Sequence, residues 1–246
     1  MAITIGPGIN IGGGITLGSS TPGYITSGLA MNLLTAPSSG TTWTDATGNG
    51  NNATIVTTGS GSFSYTSSYG GGITLASTLN SEAICTSYNL GTAWTVEIWG
   101  QPAATDYWAT LWGNESYNAG KGWFAYWSAA AGAIAVGSPS GENTYSGIVP
   151  VPGAIKQYVF TLSSSTLTAY LNGSVQTATT SGYIAPSGGV NNTGLNFGSR
   201  HPNTGTANTP TDVCAGTFYQ MRVYNTALSS SDVTTNFNAM KSNFGL

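Results

Sequence analysis

Leu167-Thr168-Ala169-Tyr170-Leu171-Asn172-Gly173 is the stretch whose reading decides the fold class. Leu167, Ala169 and Leu171 alternate with Thr168 and Tyr170, the period-two pattern of a strand with one covered face. Asn172-Gly173 then supplies two residues that tolerate positive φ, as a two-residue type I′ hairpin turn requires. Short apolar runs between turn residues repeat outward in both directions. Strands are predicted at 29–34, 73–75, 83–86, 94–99, 109–112, 123–127, 133–136, 157–162, 167–171, 195–197 and 217–224. With no helix between them, they predict an all-β protein folded as an antiparallel β-sandwich. One short helix is predicted at the C-terminus. Ser229 caps it, Asp232 follows three residues on, and Val233, Phe237 and Met240 fall on one stripe.

Composition supports a packed β-protein with an uncharged surface. Only 5% of the 246 residues are charged, whereas hydrophobic residues make up 40% and aromatic residues 11%. With five basic residues and a net charge of −3, the chain cannot neutralise a run of phosphates, so nucleic-acid binding is excluded as a primary role. No stretch reaches eighteen apolar residues, and no basic, apolar leader opens the chain. Membrane insertion and host secretion are therefore not expected. Cys85 and Cys214 form no CxxC or zinc pattern, and read either as one disulfide or as two buried thiols.

The N-terminal residues follow a different rule. Residues 3–20 repeat one hexad three times, I3TIGPG, I9NIGGG and I15TLGSS. In an extended chain, Ile3, Ile5, Ile9, Ile11, Ile15 and Leu17 share one face, while the opposite face is mostly glycine. Residues 1–23 thus read as a docking arm, and 24–246 as the sandwich. An arm shared by three copies around a symmetry axis would have its stripe covered. A homo-oligomer is expected, with a trimer as one arrangement.

Longer motifs carry a family resemblance. Gly28–Leu33 followed by Thr41–Asn52 resembles the opening of laminin-G-like, concanavalin A-like jelly-roll domains. Trp94–Trp99, Leu167–Gly173 and Arg222–Leu228 are similar to three further motifs of that family, in the family's order. The closing Asn236–Leu246 resembles the end of versions found in tailed-phage virion proteins. The resemblance implies a concanavalin A-like jelly roll over residues 28–246 and an architectural role for Glu97. It also implies a non-enzymatic virion structural protein, made in the host cytoplasm and displayed on the virion surface. Capsid decoration is favoured over a fibre-like part, with other capsid or tail proteins as partners. A receptor adhesin that binds a cell-surface glycan is the second reading, and a glycan hydrolase the third. The family usually places a large apolar residue just before the position of Gly216, where this chain has Cys214-Ala215. Either a bulkier neighbour or a link to Cys85 must offset that loss of volume.

Few constellations point to chemistry. Glu82, Glu97, Glu115 and Glu142 are isolated in sequence, with none of the closely spaced carboxylate pairs common in jelly-roll hydrolases. His201 lacks a triad or zinc partner. No catalytic residue and no cofactor are expected. Asp45, in the loop Asp45–Asn52, reads as an Asx-turn in preference to a calcium ligand, because no second carboxylate is near in sequence. In the run Trp123–Trp127, Trp123, Ala125 and Trp127 are expected to face the core, so Phe124 and Tyr126 point outward as exposed rings. With Arg200, His201 and Asn203, they are the candidate ligand-binding residues, against the plainer reading of sheet covering and solvated loop.

Overall fold

The computed structural model describes residues 23–57, 61–76, 82–102, 108–128, 131–151, 153–200 and 212–246. The proposed docking residues Ile3, Ile5, Ile9, Ile11, Ile15 and Leu17 lie outside them, as do His201 and Asn203. In chain order the strands are β1 (Leu29–Leu33), β2 (Thr42–Trp43), β3 (Ala53–Thr57), β4 (Phe63–Thr66), β5 (Gly72–Leu75) and β6 (Glu82–Thr86). Next come β7 (Trp94–Pro102), β8 (Trp108–Gly113), β9 (Phe124–Ser128), β10 (Ala133–Ser138) and β11 (Gly141–Tyr145). The last strands are β12 (Lys156–Ser163), β13 (Thr166–Leu171), β14 (Ser174–Gln176), β15 (Thr180–Ser181), β16 (Leu195–Phe197) and β17 (Gly216–Tyr224). Helix α1 (Ser230–Met240) follows, and a 3-10 turn over Lys241–Phe244 ends the described chain.

Among the described residues these strands form two antiparallel sheets. An eight-stranded sheet runs β14-β13-β12-β7-β17-β5-β4, with β1 also paired to β17. A nine-stranded sheet runs β15-β11-β10-β9-β8-β16-β6-β3-β2. The Leu167–Gly173 hairpin forms as read: Asn172 has φ 50° and Gly173 has φ 77°, and Leu171 pairs with Ser174 across the turn. Strands β2, β3 and β15 were not predicted from the sequence, and neither were β4, β11 and β14. The residues of the last three, FSYT, GENTY and SVQ, lack an apolar alternation, and pairing with a neighbouring strand decides them.

The inner faces of the two sheets meet over an indole-rich core. Trp94 meets Trp112 edge-on at 5.1 Å and Trp123 at 5.9 Å, and Phe160, Phe197 and Phe218 complete the packing. Trp123, Ala125 and Trp127 face this core as expected. Cys214 lies in the core, whereas Cys85 sits on the other face of β6 from the core residue Ile84. The two are separate buried thiols with no disulfide between them, and burial pushes the Cys85 thiol up to about 12. Cys214 is packed among core residues that include the fully buried Tyr158, whose phenol burial raises.

The outer face of the eight-stranded sheet is closed by α1. Ser229 and Asp232 form the expected capping box, and Val233 and Met240 are buried. Phe237 stacks on Trp99 at 5.8 Å and Phe244 stacks on it at 4.5 Å. Beneath the helix, Glu97 is fully buried. Its Oε1 accepts from Trp99 Nε1 (2.8 Å), Gln157 Nε2 (3.0 Å) and Arg222 Nη1 (3.0 Å), and its Oε2 accepts from Asn236 Nδ2 (2.7 Å). Glu97 is therefore architectural: its charge is matched by one arginine and its lone pairs by four donors. The start of the sandwich is pinned to the same cluster. Asn236 Oδ1 accepts from Ile25 N (2.8 Å), Tyr224 Oη donates to Ile25 O (3.1 Å), and the Tyr24 ring covers the Arg222 guanidinium at 4.0 Å.

Candidate functional site

The outer face of the nine-stranded sheet is where the sequence placed its candidate residues. On this meander Gly113 pairs with Phe124, Phe124 with Gly137, and Gly137 with Glu142, so the four form one row across β8 to β11. A second row runs Thr110, Tyr126, Ala135 and Thr144. Alternation turns both rows away from the core. Gly137 matters here: a Cβ on it would lie 2.5–2.6 Å from Cα and Cβ of Glu142. Its missing side chain lets Glu142 lean inward, and Tyr126 Oη donates to the Glu142 carboxylate, 2.9 Å from each oxygen.

Phe124 and Tyr126 do face away from the core, but they are not exposed. Phe124 is 5% exposed and Tyr126 6%, and with Ala135 they form a small apolar cluster, the two rings 5.5 Å apart. The expectation of solvent-facing stacking rings at these positions is corrected. A ring this buried serves as the support of a polar layer, and truncating Tyr126 would now cost fold stability. Arg200 lies over this support, its guanidinium 5.6 Å from the Phe124 ring.

Arg200 also gathers acids that the sequence leaves isolated. Its Nε donates to Glu115 Oε1, and its Nη1 lies 3.5 Å from Asp212 Oδ2. The Glu115 side chain is fully buried. Burial pushes the Glu115 carboxyl up from 4.5 to about 7; the Arg200 guanidinium opposes the rise, and Asp212 and Glu142 add to it. Burial, then Glu142, also holds the Tyr126 phenol far above its ordinary value. Two buried polar atoms in this region, Glu115 Oε2 and Asn196 Nδ2, have no partner among the described residues. The result is an aromatic support under carboxylate, guanidinium and amide groups. Such a floor can exchange hydrogen bonds with a hydroxyl-rich ligand. Glu115, Glu142 and Asp212 are 27 to 97 residues apart, and only the folding of the sheet and its connecting segments brings them together; the lone glycine Gly137 within an apolar strand was the available signal.

The Asp45 loop has the other geometry. Asp45 Oδ1 accepts from Asn32 N (2.9 Å) and Thr47 N (3.0 Å), and Oδ2 from Thr47 Oγ1 (2.7 Å) and Asn51 N (3.1 Å). Burial would raise its carboxyl, but these bonds outweigh burial and hold it below its ordinary value. This is the Asx-turn arrangement, with the carboxylate bonded to the protein's own donors. No cluster of three metal-ligating side chains occurs among the described residues. Among them, too, no helix is long and apolar enough to cross a membrane.

Comparison with known proteins places this geometry. No curated protein matches the chain in sequence. Among solved structures, domain 4 of AbnA, a GH43 extracellular arabinanase from Geobacillus stearothermophilus in complex with arabinotriose, is similar with a TM-score of 0.56 and 16% identity over 84% of this chain and 96% of that one. The binding domain of Paraclostridial Mosquitocidal Protein 1 is similar with a TM-score of 0.59 and 15% identity, over 86% of this chain and 52% of that one. The receptor-binding domain of botulinum neurotoxin type G gives 0.57 and 14% over 86% and 51%. The chain thus spans about half the length of the toxin domains. These likenesses establish the fold. The family model described as concanavalin A-like lectin/glucanases superfamily, of laminin G type, matches residues 77–234, which span both sheets and the start of α1, and the chain belongs to that family.

Proposed function

We propose that this chain is a non-enzymatic structural protein of a phage virion that displays a lectin-like, glycan-binding sandwich and is anchored through residues 1–23. The observation that carries the binding half is the polar floor on the nine-stranded sheet. There Arg200 and Glu115 pair near Glu142, Asn196 lies on the same face opposite Gly113, and two buried polar atoms lack a partner among the described residues. Sugar hydroxyls are the chemistry that satisfies carboxylate, guanidinium and amide groups side by side. The arabinotriose held by the similar arabinanase domain supports this class of ligand. So does botulinum neurotoxin type C, another protein of similar fold, whose cell entry depends on interaction with ganglioside molecules.

Binding is favoured over hydrolysis by the state of the carboxylates. Glu115 pairs with Arg200 through one oxygen, and Glu142 accepts the single proton of the Tyr126 hydroxyl. These bonds hold both carboxylates as hydrogen-bonding groups, and the sequence has none of the closely spaced carboxylate pairs common in jelly-roll hydrolases. The virion half rests on the one-sided Ile/Gly stripe of residues 3–20, which has no use in an isolated sandwich, and on the resemblance of the C-terminal segment. Capsid decoration, a position on the virion surface and a homo-oligomer sharing its arms belong to this reading.

A glycan array probed with the whole chain tests binding. Wild type is expected to be retained, and Arg200→Ala and Glu142→Ala to weaken retention about tenfold, the loss of roughly 1.4 kcal/mol. Retention equal in wild type and both variants would remove this floor as the site. Deleting residues 1–22 is expected to leave the melting temperature unchanged and to abolish incorporation into particles. A truncated chain that still enters particles at normal stoichiometry would sink the anchoring role. Release of reducing sugar from any array glycan would make the protein an enzyme.

A further inference from the structure

With Phe124 and Tyr126 buried, a stacking ring must be sought elsewhere on the sandwich. We propose a second saccharide site, selective for uncharged sugars, in the groove between the Thr35–Ser38 loop and the Tyr65–Gly71 segment. It rests on the lectin-like reading but shares no residue with the charged floor. The groove encloses about 640 Å³, within the range of small-ligand sites.

Its aromatic wall arises from an edge effect. Tyr65 pairs with Ile73, so its side chain leaves β4 on the same face as the core residue Ile73. But β4 is the last strand of its sheet among the described residues, and the ring is left 37% exposed. It is also held still. The Phe63 ring meets it edge-on at 5.5 Å, and its hydroxyl donates to the Gly40 carbonyl. A half-exposed ring fixed at both ends offers one face for stacking and loses little freedom when a sugar covers it.

The remaining walls match that ligand. Thr35, Ser38, Thr66 and Ser67 supply hydroxyls, and Ser67 makes no side-chain cap bond to the turn that follows it. None of the lining residues is charged. The floor is bare backbone. Tyr69, Gly70 and Gly71 have φ of 54°, 85° and 107°, three successive residues outside the usual region for side chains. A Cβ on Gly70 would meet nothing within 4 Å, so the space above it is open to a ligand. The left-handed Tyr69 is held by Tyr219, edge-on at 5.4 Å, and by Phe244 at 6.1 Å. Strain kept in place by neighbouring rings, next to an open groove, is the pattern of a preformed binding loop. Peptide ligands are less suited, since the lining residues carry no charge and offer a single aromatic anchor.

The whole chain on an array carrying both neutral and sialylated oligosaccharides, arabinotriose included, tests the site. Retention of neutral glycans is expected. Tyr65→Ala should weaken it about tenfold or more, the usual consequence of removing one stacking ring. Tyr65→Phe, which keeps the ring, should bind close to wild type. Ser38→Trp fills the groove from an exposed loop and should weaken retention of neutral glycans as much, so a folding defect in Tyr65→Ala cannot decide the matter. Val175→Ser, far off on β14, serves as the control. Wild-type binding that survives both Tyr65→Ala and Ser38→Trp overturns this site and leaves the lectin-like reading standing. No retention of any glycan by wild type overturns both. Capture of an uncharged peptide, lost in Tyr65→Ala, would make the groove a peptide site and overturn the saccharide assignment.

Discussion

The two outer faces of the sandwich each carry a carboxylate–arginine pair, and the pairs differ in how completely they are covered. Glu97 and Arg222 lie fully buried beneath the C-terminal helix, and four donors reach the carboxylate. Glu115 and Arg200 sit on the other sheet with Arg200 21% exposed, Asp212 alongside and Glu115 Oε2 unpartnered among the described residues. The first pair was built to be closed: the helix, Asn236 and Gln157 exist around it as fixed partners. The second has the same charges with no helix over it and its guanidinium partly open to solvent. The comparison teaches that in a chain with so few charges, a pair closed off under a helix is architecture, and a pair whose guanidinium keeps an open edge is the place to look for a ligand.

Breaking the sealed pair should have the largest effect. Arg222→Leu leaves the Glu97 charge buried without its cation and is expected to cost about 3–5 kcal/mol, read as a lower urea midpoint. Arg200→Leu should cost about 1–2 kcal/mol, because Glu115 can take up a proton once the guanidinium is gone. Equal losses at the two sites would erase the distinction between the pairs.

A pH series sharpens it further. The Glu115 carboxyl is raised from 4.5 to about 7, so its contribution is fully present below pH 4.5 and is lost as pH rises through 7. Wild type is expected to lose stability over that window at up to about 1.4 kcal/mol per pH unit, and Glu115→Gln to show a flat profile there. Asp45 has the opposite sign. Its carboxyl is lowered, so its contribution is present above pH 3.8 and is lost as pH falls below that value. Asp45→Asn should cost about 1 kcal/mol at neutral pH and nothing once wild-type Asp45 is protonated. Chemical denaturation at successive pH values measures both. A Glu115→Gln profile parallel to wild type between pH 4.5 and 7 would show that another group titrates in that window.

The smallest expected effect is at Tyr126. Tyr126→Phe keeps the buried ring and loses only the bond to Glu142, a cost of about 1 kcal/mol. A loss as large as that of a core truncation would mean that the hydroxyl organises the whole floor.

Legibility in the sequence followed the range of the interactions. The Asn172-Gly173 hairpin, the Ser229–Asp232 cap and the Asp45 turn were readable because each is satisfied within a few residues. Most apolar strands were readable from their alternation, though β3 with its buried Ala53 and Ile55 was not predicted. The acids of the candidate floor were not, since Glu115, Glu142 and Asp212 lie on separate segments that only the tertiary fold brings together. Alternation correctly turned Phe124 and Tyr126 away from the core, but burial depends on what lies over a face, and a period-two pattern carries no information about that.

The sequence by itself determined an all-β chain with one capped helix, a low-charge surface and a family, because those follow from local periodicity, turn chemistry and ordered motifs. Only the tertiary structure decided which of the few charges are covered and which keep an open edge. Desolvation and partner count are properties of how sheets and helix pack, and one missing Cβ at Gly137 or one edge strand at Tyr65 changes them without changing any local pattern.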